Sequence, residues 1–135
     1  MPKVLVVDDS QVMREMIVAC LRAVSGLEFA QAASGLEAIE RLSLEAFDLL
    51  VLDLNMPDIG GVEVVEFVRG QEGLRDLPIL IVTTRGDEAS RERVLAAGAS
   101  RYMTKPFTPD QLSGAARELV SGPEGDDEAA SPAAS

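Results

Sequence analysis

Histidine and tryptophan are absent from this 135-residue chain, and cysteine occurs once. Without histidine there is no Ser-His-Asp triad, no Cys-His pair and no imidazole-ligated metal. Any chemistry falls to carboxylates, hydroxyls and lysine. Cys20 can form no internal disulfide, and its place in a helical stripe reads as a small core residue rather than a reactive thiol. No apolar run approaches the roughly 20 residues that span a bilayer. The N-terminus also lacks the basic-then-apolar pattern of a signal peptide. These absences lead to the expectation of a cytoplasmic protein without membrane insertion. Basic side chains are scarce: 12 Lys and Arg stand against 23 Asp and Glu, for a net charge of -11. Residues 121–135 hold Glu124, Asp126, Asp127 and Glu128 and no Lys or Arg, which leaves -7 on the remainder. A balance this acidic argues against direct nucleic-acid binding, which needs cations against phosphates.

What is present is a core. The chain is 47% hydrophobic and has the length of one domain. Five apolar, β-branched-rich runs alternate with stretches of helical period. The first run is Lys3–Val7. The segment DSQVMREMIVACLRAV follows, with apolar residues at 12, 13, 16, 17, 20, 21 and 24 and Ser10 as cap. Val12, Met13, Met16 and Ile17 are expected in the core rather than on a partner surface. A second strand is expected at Glu28–Ala33. Next comes SGLEAIERLSLEA, a helix with a capping box of Ser34 and Glu37. A third strand, Leu49–Leu54, carries Asp53. Gly60 and Gly61 precede the helix VEVVEFVR. LPILIVTT is the fourth strand, DEASRERVLAAGA a helix stopped by Gly98, and SRYMTKP a short fifth strand. The last helix, TPDQLSGAARELV, has Thr108 as cap and Pro109 at its first position. Alternating strands and helices predict an α/β domain with a parallel sheet covered on both faces. The expected domain is 1–120, with 121–135 as a disordered acidic Ser/Pro/Ala tail or linker.

Two acids, Asp8 and Asp9, directly follow a buried strand, where an unpartnered carboxylate is costly. In parallel α/β sheets ligands bind at the carboxyl ends of strands. There this chain places Asp8 and Asp9, then Asp53 with Asn55 beyond it, then Thr83 and Thr84, then Lys105 and Pro106. Any one acid alone is ordinarily a turn residue or a cap; the conjunction at one edge carries the inference. Clustered carboxylates repel one another, and a hard divalent cation removes that repulsion. An oxygen-only ligand set suits Mg²⁺, with Mn²⁺ as a substitute. Lys105 and Thr83 suit the oxygens of a phosphoryl group, and a carboxylate can itself be the nucleophile.

The motifs VLVVDDS, LLVLDLNMPDIGG, ILIVTT and YMTKPF, in this order, resemble the CheY-like receiver domains of two-component response regulators over residues 3–120. That resemblance implies a flavodoxin-like doubly wound sheet of strand order 2-1-3-4-5 with five helices. It implies that Asp53 accepts a phosphoryl group from a histidine kinase or phosphotransfer protein. Asp9, Asp53 and the backbone carbonyl of Asn55 would hold Mg²⁺, with Asp8 acting through water. Lys105 would pair with Asp53 and then with the phosphoryl group, which the backbone of Asn55 and Thr84 would also contact. Thr83 and Tyr102 would be the switch pair, and the Lys105–Pro106 peptide would be cis. The surface made by Glu88–Ala97, Ser100–Met103 and Thr108–Val120 would dock a protein target. The chain would be a monomer or a weak phosphorylation-dependent dimer. It would catalyse its own phosphorylation and dephosphorylation without being a turnover enzyme. The DDSQVMREMI opening is similar to that of chemotaxis-type receivers.

This chain departs from the family pattern in places. DIGG puts Gly60 where the family often has Asp, Thr84 stands where a small residue is usual, and Arg85 lies where the family controls water access. No output domain follows residue 120, which reads as a stand-alone receiver or one cut from a longer protein. Two rivals compete: a phosphorylation-independent interaction module, and a phosphatase of the haloacid dehalogenase type. The latter typically has an acid two residues after its nucleophile, where this chain has Asn55. A flavin-binding flavodoxin is disfavoured, because the first strand leads to acids and not to a hydroxyl-rich phosphate loop.

Overall fold

The computed structural model describes residues 1–84 and 86–129, the last nine by backbone alone. Five strands and five α-helices alternate: β1 Lys3–Val7, α1 Gln11–Leu21, β2 Glu28–Ala32, α2 Gly35–Leu44, β3 Leu49–Leu52, α3 Gly61–Gly70, β4 Ile79–Thr83, α4 Glu88–Ala97, β5 Arg101–Thr104 and α5 Pro109–Ala129. A 3₁₀ turn at Glu72–Leu74, not foreseen from the sequence, follows α3. The sheet is parallel throughout, in the order β2-β1-β3-β4-β5. The helical backbone of α5 continues past Val120, where the tail was expected to begin. Residues 130–135 of that expected tail, and the side chains from 121, lie outside the described residues, as does Arg85.

The sheet divides the core in two. Leu5, Val7, Leu50, Leu52, Ile79 and Ile81 meet α2, α3 and Val94 of α4 on one face. Val4, Val6, Leu49, Val51, Leu80 and Val82 meet α1 and α5 on the other. The alternation follows from the period of two along a strand. It explains why β1, β3 and β4 are apolar without interruption: both of their faces are covered.

Caps set the helix starts. The Ser10 hydroxyl accepts from the Met13 N–H at 3.2 Å. The Ser34 hydroxyl accepts from the Glu37 N–H at 3.1 Å, while Glu37 Oε1 accepts from the N–H of Ala33. The expected box at α2 thus closes one residue earlier than its usual form. Thr108 and Gln111 cap α5 reciprocally.

One expectation is corrected at α1. Ile17 is buried and Met13 packs against the core, but Val12 is 71% exposed and Met16 46% exposed. The apolar stripe is wider than the helix face the sheet can cover. The arc through Ile17, Val18 and Leu21 is buried, and residues 12 and 16 fall beyond its edge.

Candidate functional site

Strand register assembles the site. Val7 lies beside both Ala32 and Leu52, so Asp8 and Asp53 leave the sheet as neighbours. The Asp53 N–H donates to Val7 O at 3.0 Å, and the Asp8 N–H donates to Ala32 O at 3.2 Å. On the other side Thr83 pairs with Thr104, and the Lys105 N–H donates to Thr83 O at 2.8 Å. Lys105 therefore enters the same edge from β5. The Lys105–Pro106 peptide is cis.

Oxygens of Asp8, Asp9 and Asp53 lie within 4.8 Å of one another. Asp8 and Asp53 are 2% and 6% exposed, so two of these carboxylates are held out of water, whereas Asp9 is exposed. Lys105 Nζ stands 2.8 Å from Asp8 Oδ2 and 3.9 Å from Asp53 Oδ2. The sequence reading paired Lys105 with Asp53; its short contact here is with Asp8. Asp8 Oδ1 accepts from the Ser10 N–H at 2.9 Å, so both oxygens of that carboxylate are partnered.

Asp53 is left in a different condition. Its Oδ1 is buried and has no hydrogen-bond partner among the described residues. Burial pushes its pKa above the ordinary carboxylate value. The charge of Lys105 draws it down, Asp8 pushes it up again, and the Asn55 N–H and Thr83 hydroxyl lower it more weakly. A buried acceptor oxygen beside two further carboxylates fits a hard cation, which would satisfy the oxygen and neutralise the repulsion. The residues present therefore fit a metal.

The other expected residues surround this centre. Thr83 is fully buried at the end of β4, and Thr84 beyond it is exposed. Asn55 is exposed on the β3–α3 loop, where it borders a hollow of about 270 Å³ with Met56, Ser90 and Arg93. Tyr102 is half-buried on β5 and packs against the core on the α2–α4 face. Cys20 is half-buried against the α1–α5 core.

Two supporting residues escaped the sequence reading. Asp58 accepts from the N–H groups of Gly35 and Leu36 at 3.1 and 3.0 Å, which ties the β3–α3 loop to the start of α2. Those of Leu36 and Ile59 chiefly pull its pKa down to about 2. Arg14 donates to the backbone carbonyl of Asp8 at 2.7 Å and to Gln31 Oε1 at 3.0 Å. Asp58 sits one residue after Pro57 and Arg14 one turn into α1, positions that look like ordinary loop and surface in sequence. Only the folded chain sets them against their partners.

Comparison with known proteins agrees with this geometry. The family model of the response regulator receiver domain matches residues 4–117. The chain is 40% identical over 111 residues to a chemotaxis protein CheY homolog of Campylobacter jejuni, covering 82% of this chain and 85% of that protein. It is 39% identical to chemotaxis protein CheY1 of Helicobacter pylori over 82% of this chain and 90% of that one. Among solved structures, the chemotaxis response regulator CheY4 of Vibrio cholerae superposes with a TM-score of 0.81 at 36% identity, covering 88% of this chain and 98% of that one. The chain belongs to the response regulator receiver family, in its CheY-like form. Proteins of this class act in two-component phosphorelays, where they meet histidine kinases and downstream protein targets, and they generally bind Mg²⁺. No helix among the described residues is long and apolar enough to cross a membrane.

Proposed function

We propose that Asp53 is the phospho-acceptor of a Mg²⁺-dependent switch. The single observation that carries this reading is the buried Asp53 carboxylate, whose Oδ1 has no partner among the described residues, beside Asp8, Asp9 and Lys105. Attack by an Asp53 oxygen on a phosphohistidine forms the O–P bond as the P–N bond breaks. The electron pair of that bond stays on the imidazole nitrogen, which takes a proton from solvent. Asp9, Asp53 and the Asn55 carbonyl would hold Mg²⁺, with Asp8 acting through water. When bound, the ion neutralises and orients the phosphoryl oxygens. Lys105, already at the site, supplies a second cation to the transferring group. The backbone of Asn55 and Thr84 would also contact the phosphoryl oxygens. Attack of water on phosphorus returns free Asp53 and inorganic phosphate. The chain thus acts on itself, once per cycle, and not as a turnover enzyme.

Phosphorylation adds negative charge beside Lys105 and Thr83. A shift of the Thr83 hydroxyl onto the phosphoryl group would free space into which Tyr102 turns, biasing the α4–β5–α5 surface toward its target. α4 suits this part, since only Val94 of its ten residues is fully buried. The named relatives suggest a chemotaxis-type target. The interaction-module reading is disfavoured because every acid and the lysine are kept; the dehalogenase-type phosphatase is disfavoured by Asn55.

The test is incubation with acetyl phosphate or phosphoramidate and Mg²⁺, read by intact mass. One phosphoryl adduct is expected on the wild type, and none without Mg²⁺ or in Asp53→Asn. An adduct indifferent to Asp53→Asn overturns the reading. So does the lack of any adduct when beryllofluoride also fails to bind.

A further inference from the structure

We infer that Arg14 is a positioning residue for the metal-facing acids, an inference that rests on the Mg²⁺ reading above. Its guanidinium bridges two elements by donating to the Asp8 carbonyl at 2.7 Å and to Gln31 Oε1, on β2, at 3.0 Å. That carbonyl belongs to the peptide joining Asp8 to Asp9, so its orientation sets the direction in which Asp9 leaves the strand. The Asp8 side chain needs no such help, because Ser10 and Lys105 hold it on both oxygens. Among the described residues the exposed Asp9 has no side-chain hydrogen-bond partner, so its backbone aims it. A rigid planar fork with donors in two directions does this; a lysine ammonium, a single point charge on a flexible stem, cannot hold both acceptors in one plane.

The sign of the effect separates positioning from charge. Arg14 brings a cation to the backbone of Asp8, at the acidic edge. If it acted by charge alone, Arg14→Met would relieve repulsion toward Mg²⁺ and tighten binding, and Arg14→Lys would change nothing. Positioning demands the reverse, a loss in both.

The experiment is a calorimetric Mg²⁺ titration of wild type, Arg14→Lys and Arg14→Met, beside urea unfolding of each in the metal-free state. Both variants are expected to bind Mg²⁺ about tenfold more weakly, the low end for outer-shell partners of a metal site. Arg14→Lys should keep the metal-free unfolding midpoint, and saturating Mg²⁺ should restore its rate of adduct formation. Unchanged affinity in Arg14→Lys, or tighter binding in Arg14→Met, overturns the inference. So does a loss of affinity that only accompanies an equal loss of metal-free stability. If Arg14→Met does not fold, Gln31→Leu removes one anchor alone and should weaken Mg²⁺ binding by a smaller factor; no change there overturns it as well. A wild type that binds no Mg²⁺ overturns the proposed function itself.

Discussion

Lys105 has two tasks at one position. It pairs with the buried Asp8 at 2.8 Å and stands 3.9 Å from Asp53, the proposed acceptor. Removing one partner of a buried ion pair leaves an uncompensated charge, which costs roughly 3–5 kcal/mol. Lys105→Met should therefore be destabilised by about that amount in metal-free urea unfolding, and added Mg²⁺ should recover part of the loss. A variant as stable as wild type without metal would mean that the Lys105–Asp8 pair does not hold the fold.

The elements around the site are fastened by backbone donors as much as by packing. Asp58 joins the β3–α3 loop to the N-terminus of α2. Its pKa lies at about 2 against an ordinary 3.8, so the folded state favours the carboxylate. A depressed acid contributes stability that is complete above its unfolded pKa and is lost as pH falls through its folded one. The stability gap between wild type and Asp58→Ala should hold above about pH 4 and close toward pH 2. Urea midpoints across that range check it, and a gap independent of pH would show that the carboxylate charge is not what holds the loop. Gly61 sets a tighter constraint on the same loop. A Cβ there would meet Leu54 Cα at 2.8 Å and Asp53 O at 2.9 Å, so α3 approaches the end of β3 as only a glycine allows.

At the scale of the whole molecule, the sheet separates two packing units. Ile17 belongs to the α1–α5 side and Ile81 to the α2–α4 side. Ile→Val at either site should cost about 0.5–1.5 kcal/mol. The two losses should add to within about 0.5 kcal/mol, because the substituted side chains share no partner across the sheet. A double variant far from additive would show that the two faces adjust to one another through the strands. Near-independence means that one face of the sheet can rearrange without repacking the other.

Much of this was legible in the chain. The apolar runs located every strand to within two residues. The caps at Ser10, Ser34 and Thr108 began the right helices, because a cap is a local interaction between residues three apart. The acids, Thr83 and Lys105 were legible as one site because a parallel sheet brings all strand ends to one edge. What the chain could not show was distance. Whether Lys105 lies nearer Asp8 or Asp53 depends on strand spacing and on where the lysine stem runs. Val12 and Met16 share an apolar stripe with Ile17, and only the width of the covering sheet decided that they face solvent. Arg14 and Asp58 matter through backbone atoms distant in sequence, which carry no residue pattern. Local chemistry and periodicity determined the elements, the parallel α/β class and the side chains gathered at one edge, while the strand order was implied by the family resemblance. Tertiary packing decided which of them touch, because contact between segments far apart in the chain is settled only when the elements are in place.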